Sequence, residues 1–115
     1  MERVLGKHYL VEFIGCDKER IERAGPVEEA LLQAVEVSRA TYIAHEVRQF
    51  EPAGVSAIVF IAESHFGLHT WPEYGYAGLD IFTCGTQMSA EAAIEFLGRR
   101  FNADETRTRR IERGI

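Results

Sequence analysis

Two tight turns, Pro52-Ala53-Gly54 and Pro72-Glu73-Tyr74-Gly75, punctuate a stretch rich in β-branched and aromatic residues between positions 41 and 83. Connections this short return the chain beside itself, so the middle of the sequence must build antiparallel strands. Strands are expected over 41–51, 55–63, 65–71 and 76–83, and the second is nearly all apolar, as a central strand would be. Alternation with Tyr, Val, Phe and Ile predicts another strand over 7–14, and the Thr/Arg alternation of 105–112 predicts a polar edge strand. Asp17 can cap a short helical turn that Gly25 stops. Pro26 then suits the first position of a helix over 26–39, with Val27, Ala30, Leu31, Ala34 and Val35 on its apolar face and Glu28 and Glu29 near the positive end of its dipole. Ser89 is a candidate N-cap for a second helix whose apolar face is Ala93, Ile94, Leu97 and Phe101. The order β-α-β-β-β-β-α-β predicts an α+β fold: a two-layer sandwich, an antiparallel sheet with two main helices packed on one face.

The chain has 115 residues, room for one domain over 1–115. A hydrophobic share of 46% against 27% charged residues excludes intrinsic disorder and coiled coil. The first twenty residues mix charges into short apolar stretches, so no secretory signal is expected, and the apolar stretch around 55–62 is too short to span a bilayer. Cys16 and Cys84 are expected as reduced thiols in the cytoplasm. A net charge of -5 argues against nucleic acid as a partner, and the arginines of the C-terminal end, interspersed with acids, read as a solvated face. So small a core encloses a substrate poorly, which makes an oligomer the natural expectation.

Chemistry-bearing residues crowd into 62–85: Glu63, Ser64, His65, His69, Trp71, Glu73, Asp80 and Cys84. His65 and His69 have the spacing of a helical zinc pair, but Gly67, Thr70 and Pro72 oppose a helix. On a strand the two would stand about 13 Å apart, so no metal site is expected. Ser64 lies in no G-x-S-x-G elbow. On spacing alone, Cys84 reads as a small buried residue at a strand end.

The succession Glu63-Ser64-His65, His69-Thr70-Trp71-Pro72-Glu73, Gly75-Tyr76-Ala77, Asp80 and Phe82-Thr83-Cys84-Gly85 resembles the processing and active-site segment of prokaryotic S-adenosylmethionine decarboxylase proenzymes. Phe50, Pro52 and Gly54-Val55-Ser56 also match, and Gly6-Lys7-His8 does so more weakly. The likeness is dense over 50–85, thin over the first helix and absent after 88. It implies a pyruvoyl-dependent, self-processing enzyme of polyamine (spermidine) biosynthesis. The Ser64 hydroxyl would attack the Glu63 carbonyl, and elimination from the ester followed by hydrolysis would leave a pyruvoyl group on the fragment 64–115, with 1–63 as the other. Such a shift needs a strained backbone and donors for the oxyanion. By the same resemblance Ser56 aids processing, His69 is the base of the elimination, and the pyruvoyl group holds the substrate as a Schiff base. Cys84 would return the proton after CO₂ leaves, Phe50 and Trp71 would take adenine, and Glu73 would take the ribose hydroxyls. Neither metal nor pyridoxal phosphate is implied.

Ser56 and Ser64 lie eight residues apart in one expected strand, about 26 Å along it. One protomer cannot bring them to one site, whereas a two-fold dimer can, with Ser64 and Cys84 from one copy and Ser56 and His69 from the other; the family assembles in this way. Departures from the family's pattern fall at Ala57-Ile58, Phe66-Gly67 and Val47-Arg48-Gln49, and the C-terminus is shorter than in many members. None touches Ser64. An arginine or ornithine decarboxylase on the same scaffold is the alternative reading, although Arg48 is a poor neighbour for a guanidinium. A non-catalytic regulatory relative would be expected to lose Ser64, His69 or Cys84, and all are present.

Overall fold

The computed structural model describes residues 2–85 and 87–115. One six-stranded antiparallel sheet runs in the order β2-β3-β4-β5-β1-β6. Its strands are β1 (Val4–Ile14), β2 (Tyr42–Gln49), β3 (Val55–Ile61), β4 (Ser64–Trp71), β5 (Tyr76–Thr83) and β6 (Glu105–Gly114). Helices α1 (Lys18–Ile21), α2 (Ala24–Val37) and α3 (Ala90–Arg100) complete the chain, with a 3₁₀ turn at Pro72–Tyr74. The α+β fold and the helix-covered face are as expected from the sequence.

Alternation decides which face is covered. Tyr9, Val11 and Phe13 of β1, Val55, Ala57, Val59 and Ile61 of β3, Phe66 and Leu68 of β4, and Ala77, Leu79 and Ile81 of β5 are buried beneath the helices. Val27, Ala30, Leu31, Ala34 and Val35 of α2 and Ala90, Ala93, Ile94 and Leu97 of α3 meet them. Phe101 closes this core edge-on against Phe13, with ring centroids 5.8 Å apart. Residues of the opposite parity, among them Ser56, Ile58, Phe60, His65, His69 and Trp71, stand on the helix-free face. That face carries Ser56, His65 and His69.

Several boundaries differ from the sequence reading: β1 starts three residues earlier, at Val4, β2 is shorter, Tyr42–Gln49, and β4 starts at Ser64. Helix α2 starts at Ala24 and ends at Val37, so Gly25 is inside it and Pro26 is its third residue. No first-turn N–H has an intrahelical acceptor, so proline is tolerated there as well as at the first position. The strand expected over 55–63 stops at Ile61, and Ala62-Glu63 form a two-residue hairpin loop that pairs Ile61 with Ser64. β3 is interior but second from an edge. β6 is the edge strand expected, running two residues longer at its C-terminal end and exposed throughout.

Candidate active site

Glu63 occupies the second position of the β3–β4 loop with φ 62°, in the left-handed region. A type II turn places Gly or Asn there, because a Cβ meets the neighbouring carbonyl; a glutamate at this φ stores backbone strain next to the Glu63–Ser64 bond. The Ser64 hydroxyl, at the start of β4, accepts a hydrogen bond from the backbone N–H of Cys84 at 3.2 Å. Two adjacent strands thus bring together the strained peptide, the serine after it and the cysteine, since Cys84 follows β5 directly. Glu63 and Ser64 line a cavity of about 310 Å³ with Arg39, Thr41, Thr83, Gly85 and Gln87. Cys84 is exposed, which overturns its reading as a buried filler.

A second cluster lies at the other end of the same hairpin. Register sets Ser56 opposite His69, and the Ser56 hydroxyl stands 2.8 Å from Nδ1 of His69. Both line a shallow hollow of about 300 Å³ on the helix-free face, with Glu46, Arg48, His65 and Asp80. Trp71 is two residues on, its ring 6.3 Å from the His69 ring and 5.4 Å from the Tyr76 ring. The Tyr76 hydroxyl donates to Glu12 at 2.7 Å. Burial, reinforced by Glu12 and then Asp80, pushes this phenol up to about 12. Phe50 is exposed on the β2–β3 connection. Gly54 of that connection has φ 114°, a backbone conformation that a residue with a Cβ adopts only with strain. Phe50 lies just before β3, and Trp71 and the exposed Glu73 follow His69, so chain order sets all three at the Ser56–His69 end of the hairpin.

The sequence-predicted residues thus fall into two groups within one chain. Placing Ser56 and Ser64 on one strand was wrong, because Glu63 turns the chain before Ser64. Ser56 is instead five residues from Ile61, the partner of Ser64, or about 17 Å along the hairpin. No hydrogen bond joins the two serines among the described residues.

Two residues to which the sequence reading gave no role lie beside the second cluster. Thr70 is buried, donates to the Ile21 carbonyl at 2.8 Å and accepts from the Val55 N–H at 2.9 Å, tying α1, β3 and β4 together. Its signal was a polar residue in phase with core-facing Phe66 and Leu68, a position that calls for buried partners. Gln49 is the other, and its signal was only its place beside Phe50. Among the described residues no group of His, Cys, Asp and Glu could hold a metal ion, and no helix is long and apolar enough to cross a membrane.

An α+β sheet with one helix-covered face, a strained Glu-Ser peptide and a Ser-His pair on the open face define the class, and sequence comparison agrees. Residues 7–114 match the family model described as S-adenosylmethionine decarboxylase. The chain belongs to that family. An S-adenosylmethionine decarboxylase proenzyme from Thermococcus gammatolerans is 41% identical over 96% of this chain and 78% of its own length. One from Pseudomonas aeruginosa is 38% identical over 97% and 70%. The crystal structure of the adenosylmethionine decarboxylase from Aquifex aeolicus superposes with a TM-score of 0.90 at 34% identity, covering 98% of this chain and 93% of that one. The Trypanosoma brucei AdoMetDC-delta26 monomer shares the fold, with a TM-score of 0.63 at 18% identity.

Proposed function

We propose that this chain is a self-processing S-adenosylmethionine decarboxylase that makes its pyruvoyl group from Ser64. The observation that carries this reading is the left-handed backbone of Glu63, immediately before a serine whose oxygen is held by the Cys84 N–H. Strain in the ground state of the Glu63–Ser64 peptide lowers the barrier to attack by the Ser64 hydroxyl on the Glu63 carbonyl carbon, which exchanges the amide for an ester. His69, with its Nδ1 hydrogen-bonded to Ser56, is the base that takes the α-proton of residue 64, so that the ester eliminates the carboxylate of Glu63. Hydrolysis of the dehydroalanine releases ammonia and leaves fragments 1–63 and 64–115.

His69 is five residues along β4 from Ser64, about 17 Å, so the His69 that acts on a given Ser64 comes from a second copy. A homodimer with composite sites follows: Glu63, Ser64 and Cys84 from one chain face Ser56, His69, Phe50, Trp71 and Glu73 of the other. Once formed, the pyruvoyl carbonyl supplies the electron sink that decarboxylation of an amino acid requires. The exposed Cys84 thiol delivers the proton that replaces CO₂ on the substrate carbon. Phe50 and Trp71 offer flat faces to adenine, and the Glu73 carboxylate accepts from ribose hydroxyls. Cys16 and Cys84 are free thiols, as suits the reducing cytoplasm.

Intact-mass measurement of the purified protein tests the first step. Two fragments divided before residue 64 are expected, the second with a blocked N-terminus, while Ser64→Ala stays whole. CO₂ release from S-adenosylmethionine, arginine and ornithine, measured side by side, tests the second. A single full-length mass after prolonged incubation refutes the reading.

A further inference from the structure

Gln49 ends β2 with its side chain directed at the junction between α1 and α2. Its Oε1 accepts from the Ala24 N–H at 2.6 Å, and its Nε2 faces the carbonyls of Glu22 at 3.0 Å, Phe50 at 2.9 Å and Gly54 at 3.0 Å. The orientation of the amide is unambiguous, because one end meets a donor and the other meets only acceptors. Two amide hydrogens serve three carbonyls, so every hydrogen-bonding group of this side chain is committed. Ala24 is the first residue of α2, whose N-cap Arg23 makes no side-chain cap bond. Gln49 thus supplies from another element the acceptor that a helix start requires.

The other end of the amide closes the loop that presents Phe50. The Phe50 N–H donates to the Gly54 carbonyl at 2.8 Å and the Gly54 N–H donates to the Glu22 carbonyl at 3.1 Å. Arg23 reinforces the same loop from outside, through the Pro52 carbonyl and the Glu51 carboxylate. The Phe50 side chain itself is exposed and has no core packing to fix it. Its position relative to Trp71 and Glu73 therefore depends on the backbone of residues 50–54, which is tied to the helix start by the Gly54–Glu22 bond, by Arg23 and, with the most bonds, by the Gln49 side chain. We propose that Gln49 is a positioning residue for substrate binding: it sets the Phe50 loop against the helix start so that Phe50 and Trp71 stand ready for the nucleoside. This rests on the decarboxylase reading, deepens its binding site, and assigns Gln49 no contact with substrate.

The test uses Gln49→Met, which keeps side-chain length and removes all four bonds, in the wild-type and Phe50→Ala backgrounds. With S-adenosylmethionine as substrate, Gln49→Met raises KM about ten-fold while kcat and the rate of self-cleavage stay within about two-fold. In the Phe50→Ala background the same change adds less than about two-fold to KM, because its route to the substrate is gone. Amide hydrogens of Phe50 and Gly54 exchange at least about ten-fold faster in Gln49→Met. Arg23→Ala, at an exposed site that does not threaten folding, gives a smaller KM rise that also vanishes with Phe50→Ala. It decides the matter if Gln49→Met does not fold. An unchanged KM, or an equal rise with and without Phe50, overturns the proposal. Wild-type protein that releases no CO₂ from S-adenosylmethionine refutes the decarboxylase reading instead, and the exchange rates then stand alone: unaltered exchange at Phe50 and Gly54 overturns the role of Gln49.

Discussion

Replacing Glu63 by glycine should slow self-cleavage, and by an amount the backbone sets. At φ 62° an L-residue carries about 1–2 kcal/mol of steric cost that glycine escapes. If that strain is relieved as the Glu63–Ser64 amide is attacked, removing it deepens the ground state and leaves the transition state where it was. At 1.36 kcal/mol per tenfold in rate, the expected slowing is about 5- to 30-fold. Glycine also makes the unfolded chain more flexible, but the reaction starts from folded precursor, so that effect cancels from the rate. The two effects oppose each other in stability, and the folded precursor should shift by no more than about 1 kcal/mol. The assay follows the appearance of fragments 1–63 and 64–115 by mass in freshly translated protein. Glu63→Gln is the control, since it keeps the Cβ and the strain and discards only the charge; it should cleave within about two-fold of wild type. Cleavage of Glu63→Gly at the wild-type rate would refute the argument from strain. Equal slowing of Glu63→Gln would instead assign the effect to the carboxylate.

Thr70→Val keeps the shape of a buried side chain but strands the Val55 N–H and the Ile21 carbonyl. At about 1–3 kcal/mol per group, urea unfolding in a Ser64→Ala background at fixed protein concentration should show a loss of about 2–6 kcal/mol, against less than about 1.5 for Thr70→Ser. The raised Tyr76 phenol makes a pH prediction. A group whose folded pKa lies above its unfolded one contributes stability fully below the unfolded value, near 10, and loses it as pH rises through the folded value of about 12. Tyr76→Phe should therefore flatten the decline in stability between those pH values, in the same Ser64→Ala background, and an unchanged alkaline limb would refute it.

How legible was this molecule in its sequence? The helix faces, the six strands and the Ser89 cap followed from periodicity and turn residues, because those signals are local. Ser89 does accept from the Ala92 N–H, at 3.1 Å. What failed were positions where tertiary context overrides local preference. Nothing in Ala62-Glu63 advertises a turn, since the residue type a left-handed φ favours is absent there. The strain that makes the site interesting is what hid it. Ser56 and His69 were picked out by resemblance, yet their 2.8 Å approach depends on the β3–β4 register, which the two-residue loop fixes. Gln49 was invisible for a related reason: its four partners come from two segments, one of them on a helix start twenty-five residues away.

The strand order has a consequence for the proposed self-cleavage. A cut after Glu63 leaves β1, β2 and β3 on one piece and β4, β5 and β6 on the other, but the sheet does not divide along that line. β1 lies between β5 and β6, so the first piece is threaded through the second, and β3 borders β4 as well. Parting the pieces would mean unzipping three separate ladders at once. The processing proposed above would thus open the backbone beside Ser64 and release ammonia without parting the two pieces. The weave itself would serve as the fastening in place of the cut peptide bond.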